Sequence, residues 1–120
     1  MTSQKHYTAS ELTEYALNQL TMMGCIVWRQ NNLAVRGRKF IGMKGMPDII
    51  GYDSTNGKAI WCEVKTISDK LSEHQIDFLS DAMYSNCLAF ICMQDKEGIV
   101  KFITWKTFVD LLLEKIQSKV

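Results

Sequence analysis

Most of what would commit a chain to a familiar protein class is missing here. No apolar run approaches the roughly 20 residues needed to span a bilayer, so no membrane segment is expected. Residues 1–8 are polar and lack the apolar core of a secretory signal; they read as a flexible leader. The four cysteines, Cys25, Cys62, Cys87 and Cys92, show no CxxC spacing and mostly sit in apolar segments. That pattern argues for reduced core thiols in an intracellular, cytoplasmic protein rather than a disulfide framework or a zinc site. There is no internal repeat, low-complexity tract, P-loop, GxGxxG or Ser-His-Asp pattern, which removes the usual phosphate-cradling loops and the serine-hydrolase triad. A large net charge is absent too. Fourteen basic residues face thirteen acidic ones, for a net charge of +1, so bulk charge does not announce a nucleic-acid partner.

What is present is an ordinary globular composition, 47% hydrophobic and 22% charged. At 120 residues the chain is one domain, long enough to bury a core. Its most informative stretch is residues 45–66. Two apolar runs, residues 48–52 and 58–65, flank Asn56-Gly57, a strong hairpin signal. Asp48 opens the first run; Glu63 and Lys65 close the second, two residues apart and hence on one strand face. Antiparallel pairing would bring the start of one strand beside the end of the other. Asp48, Glu63 and Lys65 would then meet at one point.

Two adjacent carboxylates repel unless something neutralises them. A Mg²⁺ or Mn²⁺ ion does so: it takes oxygen ligands, and it binds through one or two carboxylates plus substrate phosphate. Such a cation acidifies bound water and stabilises charge on a phosphodiester oxygen. Lys65 would orient or deprotonate that water, or neutralise the developing charge. The residue types alone therefore describe phosphodiester hydrolysis. The local charge pattern agrees. Arg29, Arg36, Arg38, Lys39 and Lys44 fall in sixteen residues without one acid, just ahead of Asp48. A basic strip beside a carboxylate cluster is where a DNA backbone would lie.

In order along the chain, Thr8 or Ser10 caps a helix running to Met23, with Leu12, Tyr15, Ala16, Leu20 and Met23 as its apolar stripe. Glu11 borders that stripe and Glu14 points away from it. A strand covers residues 25–29. Residues 31–46 form a long basic loop, with Gly42 and Gly45 permitting close approach to phosphate or a hinge. After the hairpin, Ser72 caps a helix to Asn86 whose Ser-x-x-Gln spacing to Gln75 is that of a capping box; Ile76, Leu79 and Met83 form its core face, with Phe78 and Ala82 beside it. Strands at residues 88–93 and 99–103 precede a last helix from Thr104 to Gln117, apolar at Phe108, Leu111, Leu112 and Leu113. The order is α-β-β-β-α-β-β-α, an α/β fold with a central mixed sheet flanked by helices. Trp61 and Trp105 fall at core positions; Trp28, next to Arg29, suits either the core or a base-stacking surface.

Pro47-Asp48, fourteen residues, then Glu63-Val64-Lys65 resembles the PD-(D/E)XK nuclease signature. The surroundings resemble its VRR-NUC branch: Gly45-Met46-Pro47-Asp48, the Glu-Val-Lys strand, Leu71-Ser72-Glu73-His74-Gln75 opening a helix, and Glu11 upstream of Tyr15 on the first helix. This resemblance spans residues 10–105 and implies a restriction-endonuclease-like core. It also implies roles. Asp48 and Glu63 would bind the metal, joined by the main-chain carbonyl of Val64. Glu11 would be a further ligand, Lys65 would activate water, and Gln75 would position it. Stand-alone relatives of this size, in phages and bacteria, look like Holliday-junction resolvases, so a homodimer cleaving four-way junctions is the expected form. Three alternatives stand beside it. One is a flap-cutting, structure-specific or defence nuclease, and one a catalytically silent DNA-binding module. The last, a small-molecule or structural α/β protein, leaves the Asp48, Glu63 and Lys65 convergence unexplained.

Overall fold

A computed structural model of the chain describes residues 5–30 and 44–118. The expected element order is present: α1 (Ala9–Met22), β1 (Cys25–Arg29), β2 (Ile49–Asp53), β3 (Ala59–Lys65), α2 (Glu73–Tyr84), β4 (Leu88–Gln94), β5 (Val100–Thr104) and α3 (Trp105–Ser118). The five strands form one sheet in the order β1-β2-β3-β4-β5. Only β3 and β4 run parallel, because α2 carries the chain back between them; every other pair is antiparallel.

The β2–β3 hairpin closes as the Asn56-Gly57 signal predicts. The Gly57 amide donates to the Asp53 carbonyl at 2.8 Å, and Gly57 takes φ 73°. Alternation along the strands then divides the molecule. Cys25, Ile49, Ile60, Cys62, Val64, Phe90 and Cys92 face α1 and pack on Leu12, Ala16 and Leu20. Trp61, Ala89, Ile91, Met93 and Ile103 face α2 and α3 and pack on Leu79, Ala82, Trp105 and Phe108.

Several helix positions differ from the sequence pattern. On α1, Tyr15 and Met23 are exposed, while Thr13 is buried and donates its hydroxyl to the Ala9 carbonyl at 2.7 Å. That intrahelical bond satisfies the hydroxyl and lets threonine occupy a core position. On α2, Ala82 is buried and Ile76 is exposed. On α3, Phe108 and Val109 reach the core, whereas Leu111, Leu112, Leu113 and Ile116 stay exposed.

The leader also differs. Residues 5–8 are held by Gln94, which is 2% exposed at the end of β4. Gln94 Oε1 accepts from the Tyr7 amide at 3.0 Å, and its Nε2 donates to the carbonyls of Lys5 and Gly98. A polar residue at the end of an apolar strand is no sign of an anchor until its partners are known. Replacing Gln94 by Leu strands those backbone groups. A loss of about 2–3 kcal/mol in a urea melt is expected; a loss under about 0.5 kcal/mol would mean the anchor is dispensable.

Candidate active site

The hairpin register sets Ile49 opposite Cys62, so the next pair is Asp48 and Glu63. Asp48 is tied down there: its Oδ2 accepts the Val64 amide at 2.9 Å, and its own carbonyl accepts from the Gln30 amide at 2.7 Å. Pro47 is buried at the strand entrance, where a residue without an amide donor costs the ladder nothing. Because Cys62 and Val64 face α1, Glu63 and Lys65 face the opposite side of the sheet, as the alternation predicted.

Glu63 is 2% exposed, and its Oε2 has no hydrogen-bond partner among the described residues. Burial, followed by the contact with Asp48 and its charge, pushes the Glu63 carboxyl up to about 9; Lys65 and the Val64 amide act weakly the other way. A buried carboxyl oxygen without a partner is costly. Two hard oxygen donors meeting at one point, one of them orphaned, fit a divalent cation of the Mg²⁺ or Mn²⁺ type. No group of three or more His, Cys, Asp or Glu side chains converges among the described residues, so other ligands would be main chain, water or phosphate.

Lys65 Nζ donates to the Lys70 carbonyl at 3.2 Å. The turn that presents Lys70 is held by Asp69, whose Oδ2 accepts from the Thr66 amide at 3.0 Å and from its hydroxyl at 2.8 Å. The Thr66-x-x-Asp69 spacing was the available signal for this support, and the sequence reading passed over it. Lys65 opens into a cleft of about 410 Å³ whose lining includes Lys70, Lys96, Lys101 and Lys115 together with Asp69, Asp95 and Glu97, and Lys101 pairs with Asp95 at 3.3 Å. These lysines are scattered in sequence and formed no visible basic run. The fold collects them at the carboxyl ends of β3 and β4.

Gln75 completes a capping box: its Oε1 accepts from the Ser72 amide at 2.9 Å, and the Ser72 hydroxyl accepts from the Gln75 amide at 3.2 Å. Glu11 does the same on α1. Its Oε1 accepts from the Thr8 amide at 3.1 Å, its other oxygen pairs with Lys5 at 3.4 Å, and the Thr8 amide, with Lys5, keeps its carboxyl below the usual range. Since α1 packs on the face opposite Glu63, Glu11 is not among the groups acting on that carboxyl. Arg29 likewise turns to α1 and donates to Ser10 Oγ at 3.3 Å. Lys44 is exposed. Arg36, Arg38 and Lys39 lie outside the described residues.

Gly45, assigned to the long loop from sequence, is packed instead. Gly45, at φ 82°, lies against the α2 amino terminus. A Cβ there would collide with the His74 carbonyl and stand 2.9 Å from the Gln75 amide nitrogen. Its small size serves contact with a helix, and it brings the α2 capping box beside the Asp48 segment.

The VRR-NUC domain family matches residues 6–96 of the chain. The chain belongs to the VRR-NUC family. This VRR-NUC domain is thus a nuclease domain, and the Asp48–Glu63–Lys65 cluster falls inside the matched region. No curated protein matches the chain. Among solved structures it is similar to Hjc, a Holliday junction resolvase from the archaeal hyperthermophile Archaeoglobus fulgidus, with 17% identity and a TM-score of 0.51, over 79% of this chain and 75% of that one. That likeness extends to the fold: a mixed five-stranded sheet with helices on both faces.

Proposed function

We propose that this VRR-NUC domain is a metal-dependent endodeoxyribonuclease that cleaves branched DNA, a four-way junction above all, as a homodimer. The observation that carries the reading is the orphaned, buried Glu63 Oε2 beside Asp48. Asp48 and Glu63, with the Val64 main-chain carbonyl, hold Mg²⁺ or Mn²⁺, which supplies Lewis acidity at a phosphodiester oxygen and acidifies bound water. Lys65 exchanges its bond to the Lys70 carbonyl for one to the scissile phosphate and offsets charge developing there. Gln75, next to the Asp48 segment across Gly45, orients water. Glu11 contributes only if its capping bonds open. Arg29, released from Ser10, grips the backbone ahead of the site with Arg36, Arg38, Lys39 and Lys44, and Lys70 and Lys96 continue that grip beyond Lys65.

A two-fold substrate calls for a two-fold enzyme. The exposed Leu111, Leu112, Leu113 and Ile116 on α3 are the apolar surface a second copy would cover.

The test is cleavage of a labelled four-way junction with Mg²⁺ or Mn²⁺, beside a splayed flap and linear duplex. Paired symmetric nicks in the junction are expected. Lys65→Ala should lower their rate about 100-fold or more. Flap cutting alone would remove the resolvase assignment. Tight binding without cleavage of any substrate would leave a silent DNA-binding module.

A further inference from the structure

The core accounts for two of the three tryptophans. Trp105 is 2% exposed and donates its indole N–H to Ser80 Oγ at 3.1 Å. Trp61 meets Phe78 edge-on, with ring centroids 4.8 Å apart. Trp28 differs: it is 47% exposed on β1, an edge strand among the described residues.

Its direction follows from its neighbours. Val27 packs with the α1-side core, so Ile26 and Trp28 face the other way. There Trp28 is paired with Ile50 and Ile26 with Tyr52. α2 packs on β3 and β4, and α3 on β4 and β5. The β1–β2 part of this face leaves Ile26, Trp28 and Tyr52 between 43% and 48% exposed. Asp48 precedes Ile50 by two residues, on the same face, about 7 Å along the strand. A row of apolar and aromatic side chains therefore runs directly alongside the carboxylate pair.

We propose that Trp28, with Tyr52 beside it, is a stacking platform for an unpaired base of the strand whose phosphate lies at Asp48 and Glu63. The inference rests on the nuclease reading of that pair and sharpens it. The substrate class becomes DNA with unstacked bases at the cut, as at branch points and single-stranded segments. Base faces are closed inside a perfect duplex and open where stacking is interrupted, and aromatic side chains bind them without regard to sequence. A nucleotide with its phosphate at the carboxylates has its base at about the reach of Trp28. A protein partner fits the same row poorly, since it would lie across Asp48 and obstruct the approach of phosphate.

The full chain provides its own probe. Tryptophan emission is followed in chelator as a single-stranded oligonucleotide, a four-way junction or a perfect duplex of equal length is added. The single strand and the junction are expected to quench the emission. Trp28→Phe should lose most of the quenching and keep most of the affinity. Trp28→Ala should bind the single strand and the junction roughly 10-fold more weakly, with duplex binding changed by less than about 2-fold. Unchanged single-strand and junction affinity in Trp28→Ala, while the wild type cleaves DNA with metal, would overturn the platform and leave the nuclease standing. Dissociation of a dimer by Trp28→Ala with DNA affinity intact would assign this face to a second copy and also overturn it. Trp28-dependent quenching in a wild type that cleaves nothing would remove the nuclease reading and keep the platform.

Discussion

Glu63→Gln is expected to stabilise the metal-free protein and abolish metal-dependent cleavage. The two effects have one cause. Glu63 is buried against Asp48 with an orphaned oxygen, and its carboxyl is held at about 9 rather than near its ordinary 4.5. The folded state therefore keeps a proton that the unfolded state releases. For a raised carboxyl the sign is fixed: the stability is full below about 4.5 and drains as pH rises toward about 9, by at most about 1.4 kcal/mol per pH unit for one proton. Glutamine has no proton to lose, so the variant should lack that slope and be more stable than wild type at pH 8. The same change removes an anionic oxygen donor that the chemistry needs, and cleavage should fall by about 1000-fold. Thermal melts from pH 5 to 9, with and without Mg²⁺, check both parts. Mg²⁺ should raise the wild-type melting temperature and leave that of Glu63→Gln unmoved. A wild-type slope of the opposite sign would show that the carboxyl is ionised without metal.

Gly45→Ala is expected to be strongly damaging to the fold around the site. The residue holds φ 82°, where a Cβ is strained, and the methyl would strike main-chain atoms of His74 and Gln75 that no rotamer change can move. The α2 amino terminus and the segment leading to Asp48 must separate to admit it. A loss of about 3 kcal/mol in a urea melt is expected. Cleavage per folded molecule should fall too, because Asp48 sits three residues on. Gly24→Ala is the control: it shares a positive φ of 90° but has open space around its absent side chain, so only the backbone strain remains. Equal losses at the two glycines would show that the Gly45 contact with α2 does not matter.

The hairpin, the element order and the convergence of Asp48, Glu63 and Lys65 were legible from sequence, because each depends on near-neighbour rules. A strand alternates faces by geometry, and Asn56-Gly57 fixes which residues can pair. The Ser72–Gln75 capping box was legible as a spacing for the same reason. Glu11 shows the boundary. Its place in the first turn of α1 was readable, yet the side of the sheet on which α1 docks was not. The Thr8–Glu11 capping box turns Glu11 toward Thr8 and Lys5, and α1 docks on the face opposite Glu63.

Local spacing carries the chemistry: which carboxylates meet and which amine shares their face of the sheet, a set suited to phosphodiester hydrolysis. The environment that gives them force comes from the packing of whole elements. Glu63 is buried beside Asp48, and Gly45 lies against the start of α2. The pairing of Gln94 with the leader, the gathering of Lys70, Lys96, Lys101 and Lys115 around Lys65, and the exposure of Trp28 are of the same kind. Each joins residues distant in sequence through the packing of whole elements, and local spacing carries no record of that packing.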